Sequence, residues 1–306
     1  VNSLFKDDLR RSRDPKDFLL YAHHYGVPQK RARVFVVGTR GDLGPTTIRP
    51  PARVATPMTV KDAISDLPSL RSGLSKGDSP EAWGTLVRDA AGRLAEEIRV
   101  GPNPEDDAAH PNASTRQTTR KTLEKIARPS SRIAKKHSRG GAFVEANGQS
   151  STPIGGYLNH ETRGHIPTDI ERYLFYSAWS TAGDGSPRLT DLPTALLPAH
   201  ANIQTASKNK TLGTVAFADR FRVQVADEPA TTVTSHISKD GHYYIHYDPM
   251  QCRSLTVREA ARLQTFPDDY FFCGPRTEQY KQVGNAVPPK LARLIAGVMC
   301  LIAGDL

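Results

Sequence analysis

The sequence predicts an α/β fold, and three stretches carry that prediction. Residues 34–37 (VFVV) are β-branched or aromatic and end at Gly38, which is typical of a strand buried on both faces. Thr256 precedes a helical pattern over residues 257–264, and Glu259 stands at the spacing of a capping box, so this helix should stop before Pro267. Close to the end, one face of a last helix is apolar: Leu291, Ile295, Val298 and Ile302.

Two shorter elements are predicted between these landmarks. Residues 25–28 (YGVP) turn the chain immediately before the first strand. Residues 59–68 form a short helix ended by Pro68, with a packing role for the apolar side chains at helical spacing: Val60, Ala63, Ile64 and Leu67. Residues 284–287 are predicted as a short loop, with Pro288 and Pro289 in the first turn of the last helix.

Three of these stretches together resemble a known family. Residues 253–267 (RSLTVREAARLQTFP) and 284–289 (GNAVPP) are similar to the last two motifs of the DNA (cytosine-5) methyltransferases. Gln29, Arg31 and Arg33 resemble the Gln-x-Arg-x-Arg motif of the same family, in the expected order along the chain. The resemblance covers the C-terminal half of the family pattern.

The resemblance implies which residues form the site. Gln29, Arg31 and Arg33 would line the catalytic pocket, and Arg33 would hold the exocyclic oxygen of a flipped cytosine. An arginine suits that role because its fork of donors stays charged and polarises the ring. The cofactor would be S-adenosyl-L-methionine, and the loop in contact with it would contain Asn285, Ala286 and Val287. From the residues alone, the arginines could also bind phosphate or solvate a strand end.

The resemblance also implies a division of the chain. The expected fold is a partial Rossmann-like methyltransferase domain plus a smaller, loop-rich α+β target-recognition domain. Residues 1–68 would belong to the catalytic domain, residues 69–275 to target recognition, and residues 276–306 would return to the catalytic domain. Breaker residues recur between positions 69 and 227, and residues 100–112 are predicted as an exposed linker.

The chemistry that the resemblance implies needs a cysteine in a Pro-Cys loop, a supporting glutamate and a glycine-rich cofactor turn. The sequence contains none of these motifs. Cys252, Cys273 and Cys300 follow other residue types, so we expect them to serve packing in a reducing compartment. The nucleophile is therefore expected in an N-terminal half or subunit.

The charge of the chain favours a nucleic-acid partner. The formal net charge is +9. Nine Lys or Arg residues lie between positions 116 and 139, where the only acidic residue is Glu124. Double-stranded DNA is the predicted partner; the alternative is an ordinary solvated face. The residues expected to bind its backbone are Arg116, Arg120, Lys121, Lys135, Lys136 and Arg139.

The central part carries further local predictions. Residues 159–165 are expected to be a polar loop leading into an amphipathic helix at 169–176. Residues 231–235 and 243–245 are predicted as strands of a hairpin around the turn at 239–241. His160 and His165 have no cysteine and no second carboxylate-histidine pair at metal-ligand spacing, so hydrogen bonding is their expected role, as it is for His242 and His246, and no metal is predicted.

These observations lead to two functional hypotheses. The first is the C-terminal portion or subunit of a DNA (cytosine-5) methyltransferase in a restriction-modification system; the second is an inactive DNA-binding remnant of one. No membrane-length apolar run or signal-peptide pattern occurs, which predicts a cytoplasmic protein. Val1 fits a non-standard start or a piece of a longer chain, and the sequence leaves both open.

Overall fold

The structure is a computed structural model that describes residues 15–37, 51–100, 112–128, 138–145, 154–209, 211–215 and 219–304. These residues form a mixed fold of helices and short strands. The helices are α1 Val60–Ile64, α2 Pro80–Val100, α3 Ala113–Ala127, α4 Pro167–Ser180, α5 Ala201–Lys208, α6 Val257–Leu263, α7 Arg276–Asn285 and α8 Pro289–Gly304. The strands are β1 Leu20–Tyr21, β2 Ala32–Arg33, β3 Gly73–Leu74, β4 Gly140–Glu145, β5 Gly156–Glu161 and β6 Gly164–His165.

The first two strands form an antiparallel pair in which Leu20 lies opposite Arg33. A single 3-10 turn between them, Ala22–Tyr25, ends at Gly26, where φ is +77°. Glycine suits this position because φ is left-handed and because a Cβ atom would lie 2.6 Å from Nζ of Lys290. The predicted turn at residues 25–28 is confirmed.

The strand predicted at residues 34–37 is wrong for the described part of the chain. The ladder ends at Arg33, and the side chains of Val34 and Val36 are 56% and 90% exposed. A strand buried on both faces needs a neighbouring strand on each side and helices above and below. The described residues supply no neighbouring strand at positions 34–37, although Phe35 and Val37 pack on the core cluster that contains Leu291 and Val298 of the last helix.

Helix α1 begins as predicted. Thr59 and Asp62 cap its N-terminus reciprocally, with side chain and backbone bonded in both directions. Val60, Ile64 and Leu67 are buried in one core cluster with Val257 and Leu263 of α6. The predicted packing role of this stretch is confirmed.

The central region is richer in helix than the sequence predicts. Helices α2, α3 and α4 pack on one another around a core that contains Trp83, Leu94 and Trp179. The expectation of a loop-rich region between residues 69 and 227 is therefore wrong. Small side chains such as Ala90 and Ala91 carry much of the buried face of α2, which weakens its apolar pattern. The predicted linker lies almost wholly outside the described residues, since 101–111 are not described.

The other four strands form two separate ladders. β3 pairs with β6 in parallel, and β4 pairs with β5 in an antiparallel ladder from Gly140 opposite Glu161 to Glu145 opposite Gly156. The predicted polar loop at residues 159–165 is thus wrong, because most of these residues belong to β5 and β6. The helix predicted at 169–176 is confirmed and longer, as α4.

The C-terminal elements follow the sequence pattern closely. Thr256 and Glu259 form the predicted capping box of α6. Pro289 opens α8, whose buried side chains include Leu291 and Val298. The loop predicted at residues 284–287 is shorter than expected, because Gly284 and Asn285 form the last turn of α7.

The predicted hairpin is wrong. Residues 231–234 have no strand partner at 243–245, and Ser235–Ser238 form a 3-10 turn. Instead, Ala230 forms a parallel bridge with Gln29, while Ile245 bridges to Val223 and Ser254. The turn predicted at residues 239–241 is present, since Gly241 has φ of +78°. The segments on each side of it pair with other parts of the chain.

Each ladder in the described part has only two strands. The Rossmann-like sheet and the boundaries of the three proposed segments therefore remain predictions. Among the described helices, none has the length and apolar character that crossing a membrane requires.

Candidate active site and nucleic-acid cleft

Gln29 is completely buried, and its side-chain amide connects three distant segments. Its Oε1 accepts from the backbone N–H of Val233 at 2.7 Å. Its Nε2 donates to the carbonyl of Leu263 at 3.1 Å and to Oε1 of Gln264 at 3.0 Å. Gln264 in turn donates to the carbonyl of Val283 in α7 at 2.8 Å. These bonds bring the arginine motif against both C-terminal motifs, as the resemblance implies.

Arg31 is also buried, and its guanidinium donates to two backbone carbonyls. Nη1 lies 2.8 Å from the oxygen of Val233, and Nη2 lies 3.3 Å from the oxygen of Ala286. Burial, followed by the nearby charge of Arg33, lowers the pKa of Arg31 to about 10, so the side chain still carries its charge at neutral pH. Gln29 and Arg31 are fixed by the protein itself in this arrangement.

Arg33 stands in a different environment. Its side chain is exposed, and within the described residues it donates to the carbonyl of Ala32 at 2.7 Å. Of the three motif residues, Arg33 alone has a guanidinium free to meet a ligand in the described part of the chain. The assignment of Gln29, Arg31 and Arg33 to a catalytic pocket stays a prediction, with Arg33 best placed to contact substrate.

Residues 231–239, here called the cleft wall, run alongside the arginine motif. The backbone N–H of Lys30 donates to Ala230 at 2.7 Å, and Ala230 donates back to Pro28 at 3.0 Å. Oγ1 of Thr232 donates to the carbonyl of Lys30 at 3.2 Å. The wall therefore follows the motif without belonging to any regular sheet.

A cleft of about 980 Å³ is lined by residues of this wall and by Lys30 of the motif segment. Thr231, Thr232 and Thr234 line it. Four cationic side chains also line it, against two acids: Lys30, Arg220, Arg222 and Lys239 against Asp219 and Asp240. Hydroxyl groups and cations are groups that bind phosphate oxygens, but three of the four cations also lie within 3.9 Å of a carboxylate: Lys30 of Glu228, Arg220 of Asp240 and Arg222 of Asp219.

Aromatic rings orient the cations of the cleft. The guanidinium of Arg222 lies 5.0 Å from the ring centre of Tyr243. Nη1 of Arg220 lies 2.9 Å from Nε2 of His200, and Asp240 lies 3.9 Å from Nη2. These contacts come from segments far apart in sequence, and sequence reasoning missed every one of these residues as a DNA contact.

A buried ion pair lies at the start of α6. Both terminal nitrogens of Arg253 donate to the carboxylate of Glu259 at 2.6 Å. Burial alone would raise the pKa of Glu259, but the charge and hydrogen bonds of Arg253 outweigh it and hold the pKa far below its usual range. We refer to Gln29, Arg31, Arg253, Glu259 and Gln264 as the polar centre.

Neutral histidines complete the polar surroundings of Glu259. His160 lies 2.9 Å from the carbonyl of Pro68 and 3.0 Å from Oγ1 of Thr256, while the N–H of Asp248 donates to Nδ1 of His246 at 3.0 Å. Burial lowers the pKa of both histidines to about 4. No cluster able to hold a metal ion occurs within the described ranges. Hydrogen bonding, the role expected for His242 and His246, fits their contacts, since His242 bonds Tyr173 at 2.7 Å.

The loop predicted to contact the cofactor is short. Asn285 is exposed at the end of α7, and Ala286 offers its carbonyl to Arg31. Val287 is exposed by 52%. The predicted role of Asn285, Ala286 and Val287 in binding S-adenosyl-L-methionine is untested by the geometry, which does place them against the arginine motif.

The basic run predicted to bind DNA lies elsewhere. Arg116, Arg120 and Lys121 are on α3, where Arg120 lies 3.5 Å from Glu124. Arg139 donates to the carbonyl of Thr162 at 3.1 Å. Lys135 and Lys136 lie outside the described residues. None of the four described residues lines the cleft, so the chain has two separate groups of basic side chains.

The cysteines differ from one another. Cys252 is buried, and burial raises the pKa of its thiol well above the usual value. Cys273 and Cys300 are exposed, so the expectation that all three serve packing is wrong for these two. Among the described residues, no cysteine lines the cleft.

Comparison with known proteins identifies the class to which this fold and site belong. The family of C-5 cytosine-specific DNA methylases matches residues 16–300. The chain belongs to this family.

Curated relatives agree with this assignment. The chain is 35% identical over 275 residues to the type II methyltransferase M.Bpa9945I of Bacillus paralicheniformis, a match covering 89% of this chain and 47% of that protein. It is 28% identical over 300 residues to the type II methyltransferase M.AgeI of Thalassovita gelatinovora, covering 90% and 63%. It is 26% identical over 290 residues to the type II methyltransferase M.DdeI of Desulfomicrobium norvegicum, covering 91% and 52%. The chain therefore spans about half to three-fifths of the length of these relatives.

Proposed function

We propose that the chain is the C-terminal portion or subunit of a DNA (cytosine-5) methyltransferase. The complete enzyme would transfer a methyl group from S-adenosyl-L-methionine to carbon 5 of cytosine in double-stranded DNA, as part of restriction-modification. One set of hydrogen bonds carries the proposal. Gln29 and Arg31 both bind Val233 in the cleft wall, and Arg31 also binds Ala286 in the last motif.

Each described part of the site has a role in that reaction. DNA would lie in the cationic cleft, where threonine hydroxyls and arginines bind its backbone. Arg33 would hold the exocyclic oxygen of a cytosine turned out of the duplex and draw electrons from the ring. Asn285 and Val287 would provide one polar and one apolar contact at an edge of the cofactor site. The bound cofactor would supply the methyl group.

A second polypeptide segment would supply the attacking thiolate. Attack on carbon 6 of cytosine needs a cysteine that ionises readily beside the base. Cys252 is unsuited because burial raises its pKa, and neither Cys273 nor Cys300 lines the cleft within the described residues. An N-terminal half or subunit is thus part of the proposal.

Exposed apolar side chains support the same arrangement. Val34 and Val36 follow strand β2 without partners among the described residues, and Val287 and Met299 are exposed near α8. Burial of such side chains is favourable by about 25 cal/mol per Å². We propose that the missing half covers them, completing a Rossmann-like sheet with residues 1–68 and 276–306, while residues 69–275 recognise the target.

The decisive experiment mixes the purified chain with polypeptides encoded immediately upstream, together with DNA and labelled S-adenosyl-L-methionine. Methyl transfer that appears only in the mixture supports the subunit. The alternative, an inactive DNA-binding remnant, is favoured by the cationic cleft taken alone. It predicts DNA binding without transfer in every pairing.

In the active mixture, Arg33→Ala should abolish transfer and leave DNA affinity nearly unchanged. The side chain makes no described contact beyond Ala32, so its removal should not disturb the fold. Rates and DNA dissociation constants are measured on the same preparation. An unchanged rate would remove Arg33 from the pocket.

The two candidate DNA surfaces can be separated by salt dependence. Each phosphate contact adds about one unit to the slope of log K against log salt. The double variant Arg222→Gln with Lys239→Gln should lower that slope by about two units if the cleft holds DNA. The matched variant Lys135→Gln with Lys136→Gln tests the basic run in the same way. A slope changed only by the second pair would place DNA outside the cleft.

A further inference from the structure

The cleft wall owes its position to side chains from distant parts of the chain. Apart from the 3-10 turn Ser235–Ser238, residues 231–239 form no regular element. Gln29 binds the N–H of Val233, Arg31 binds its carbonyl, and Arg163 binds the carbonyls of Ile237 and Lys239. Because the segment has little regular structure of its own, its position depends on the side chains of Gln29, Arg31 and Arg163.

Helix α7 presses against the same wall from behind. At Gly284, a Cβ atom would lie 2.2 Å from the nitrogen of Ser235 and 2.3 Å from the carbonyl carbon of Thr234. Backbone therefore touches backbone there, two residues before Ala286. The wall and the last motif are adjacent in space, and Arg31 bonds to both.

We propose that Arg31 is a positioning residue that couples the DNA-facing wall to the loop at Ala286, so that filling the cleft alters the loop where the methyl donor would bind. The coupling to substrates rests on the proposed function above. Arg31 does not contact substrate in this role. Its two donors fix the distance between Val233 and Ala286.

The geometry suits coupling because the link is short and directional. One planar guanidinium directs its donors at both carbonyls, at 2.8 Å for Val233 and at a longer 3.3 Å for Ala286, so separating the two carbonyls breaks the weaker bond first. Gln29 holds the same wall residue through its N–H, which prevents Val233 from turning away. A displacement of the wall therefore acts first on the bond to Ala286.

Two other arginines provide matched comparisons. Arg163 supports the wall and lies 4.0 Å above the ring of Tyr280, but its described hydrogen bonds include none to Ala286. Arg33 belongs to the same motif as Arg31, and its described hydrogen bond goes to Ala32. Arg31→Met should thus affect both the wall and the loop at Ala286, Arg163→Met the wall and α7 near Tyr280, and Arg33→Met neither the wall nor the loop.

Amide hydrogen exchange of the chain alone measures this pattern. In Arg31→Met, peptides covering residues 231–239 and 283–292 should both exchange about tenfold faster, the factor expected from losing a hydrogen bond of a charged donor. Peptides from α2 should keep the wild-type rate. Arg31→Lys, which retains the charge and can serve one carbonyl, should fall between wild type and Arg31→Met.

Two exchange results would overturn the proposal. One is wild-type exchange at residues 283–292 in Arg31→Met. The other is an equal acceleration in α2, which would mean that Arg31 only stabilises the fold. Neither result requires methyl transfer, so the decision does not depend on whether the proposed function holds.

A binding cycle on the reconstituted enzyme then tests the coupling itself. DNA should tighten the binding of S-adenosyl-L-methionine by about fivefold or more in the wild type, and by a factor near one in Arg31→Met. Arg31→Lys should recover part of the factor. Equal factors in wild type and Arg31→Met would refute coupling through Arg31, whereas an absence of methyl transfer in every mixture counts only against the proposed function.

Discussion

Helices α2, α3 and α4 pack through apolar side chains such as Trp83 and Leu94, whereas the polar centre joins its segments by directional hydrogen bonds. Apolar packing is strong but tolerates small displacements of the atoms. An amide or guanidinium with several partners fixes positions within tenths of an ångström, and it is costly when one partner is lost. The candidate site lies at the polar centre, where positions must be maintained.

The largest expected effect comes from breaking the polar centre at its ion pair. Arg253→Met leaves the carboxylate of Glu259 buried without its partner and should lower the free energy of unfolding by about 3–5 kcal/mol. Urea denaturation measures the change. The double variant Arg253→Met with Glu259→Met should recover much of the loss. A cost below about 1 kcal/mol for the single change would show that the pair is not important to stability.

In the helical region, Leu94→Ala should cost about 2–5 kcal/mol by leaving a cavity in the core that α2, α3 and α4 share. The affinity of the folded protein for DNA should be unchanged, because the residue supports no part of the cleft wall. Urea denaturation and DNA titration at a temperature where the variant is folded check both points. A large loss of affinity would mean that the two regions are not independent.

Acid should weaken both regions, because buried histidines with lowered pKa lie beside Glu259 and, as His165, against Tyr173 of α4. His160 and His246 have a pKa of about 4 in the folded protein, below the usual 6.5, because burial disfavours the charged ring. The unfolded chain therefore binds more protons between these values, and stability should fall as pH drops from 6.5 to 4, by at most ~3 kcal/mol per histidine.

Unfolding at pH 7 and pH 5 measures this slope. His160→Gln should flatten it, and His236→Gln, at an exposed position, serves as the control. A slope unaffected by His160→Gln would assign the acid sensitivity to other groups.

The smallest effects come from changing a glycine to alanine once in each region. The two changes in stability should have opposite signs. Gly284→Ala would push a methyl group into the backbone of residues 234–235 and should cost about 1–3 kcal/mol. Gly92→Ala in α2 would place the methyl group 3.9 Å from Cβ of Ala127 and should stabilise by about 0.5–1 kcal/mol. Thermal unfolding compares the two. Equal signs would remove the proposed difference between the regions.

Local features of the fold could be predicted from the sequence. The capping box at Thr256 and the proline at the start of α8 depend on residues three or four positions apart, so pattern alone was sufficient. The strand at residues 34–37 failed because its pattern assumes neighbours that the described residues lack. The hairpin failed because Ala230 pairs with Gln29, far away in sequence.

The candidate site shows the same limit. The resemblance pointed to Gln29, Arg31 and Arg33 but could not distinguish the two buried side chains from the exposed one. Charge along the sequence pointed to α3, whereas the cationic cleft is assembled from separate segments around Lys30, Arg222 and Lys239. A run of charges can be read from sequence, but a convergence of single charges requires the fold.

The hydrogen bond between Gln29 and Gln264 spans 235 positions, and that from Arg31 to Ala286 spans 255. During synthesis, nearly the whole described chain must leave the ribosome before either side chain finds its partner. The helical region can become compact earlier, since its contacts are closer in sequence. The nascent protein should thus acquire its shape before it acquires its site, and an interrupted translation product would lack the site altogether.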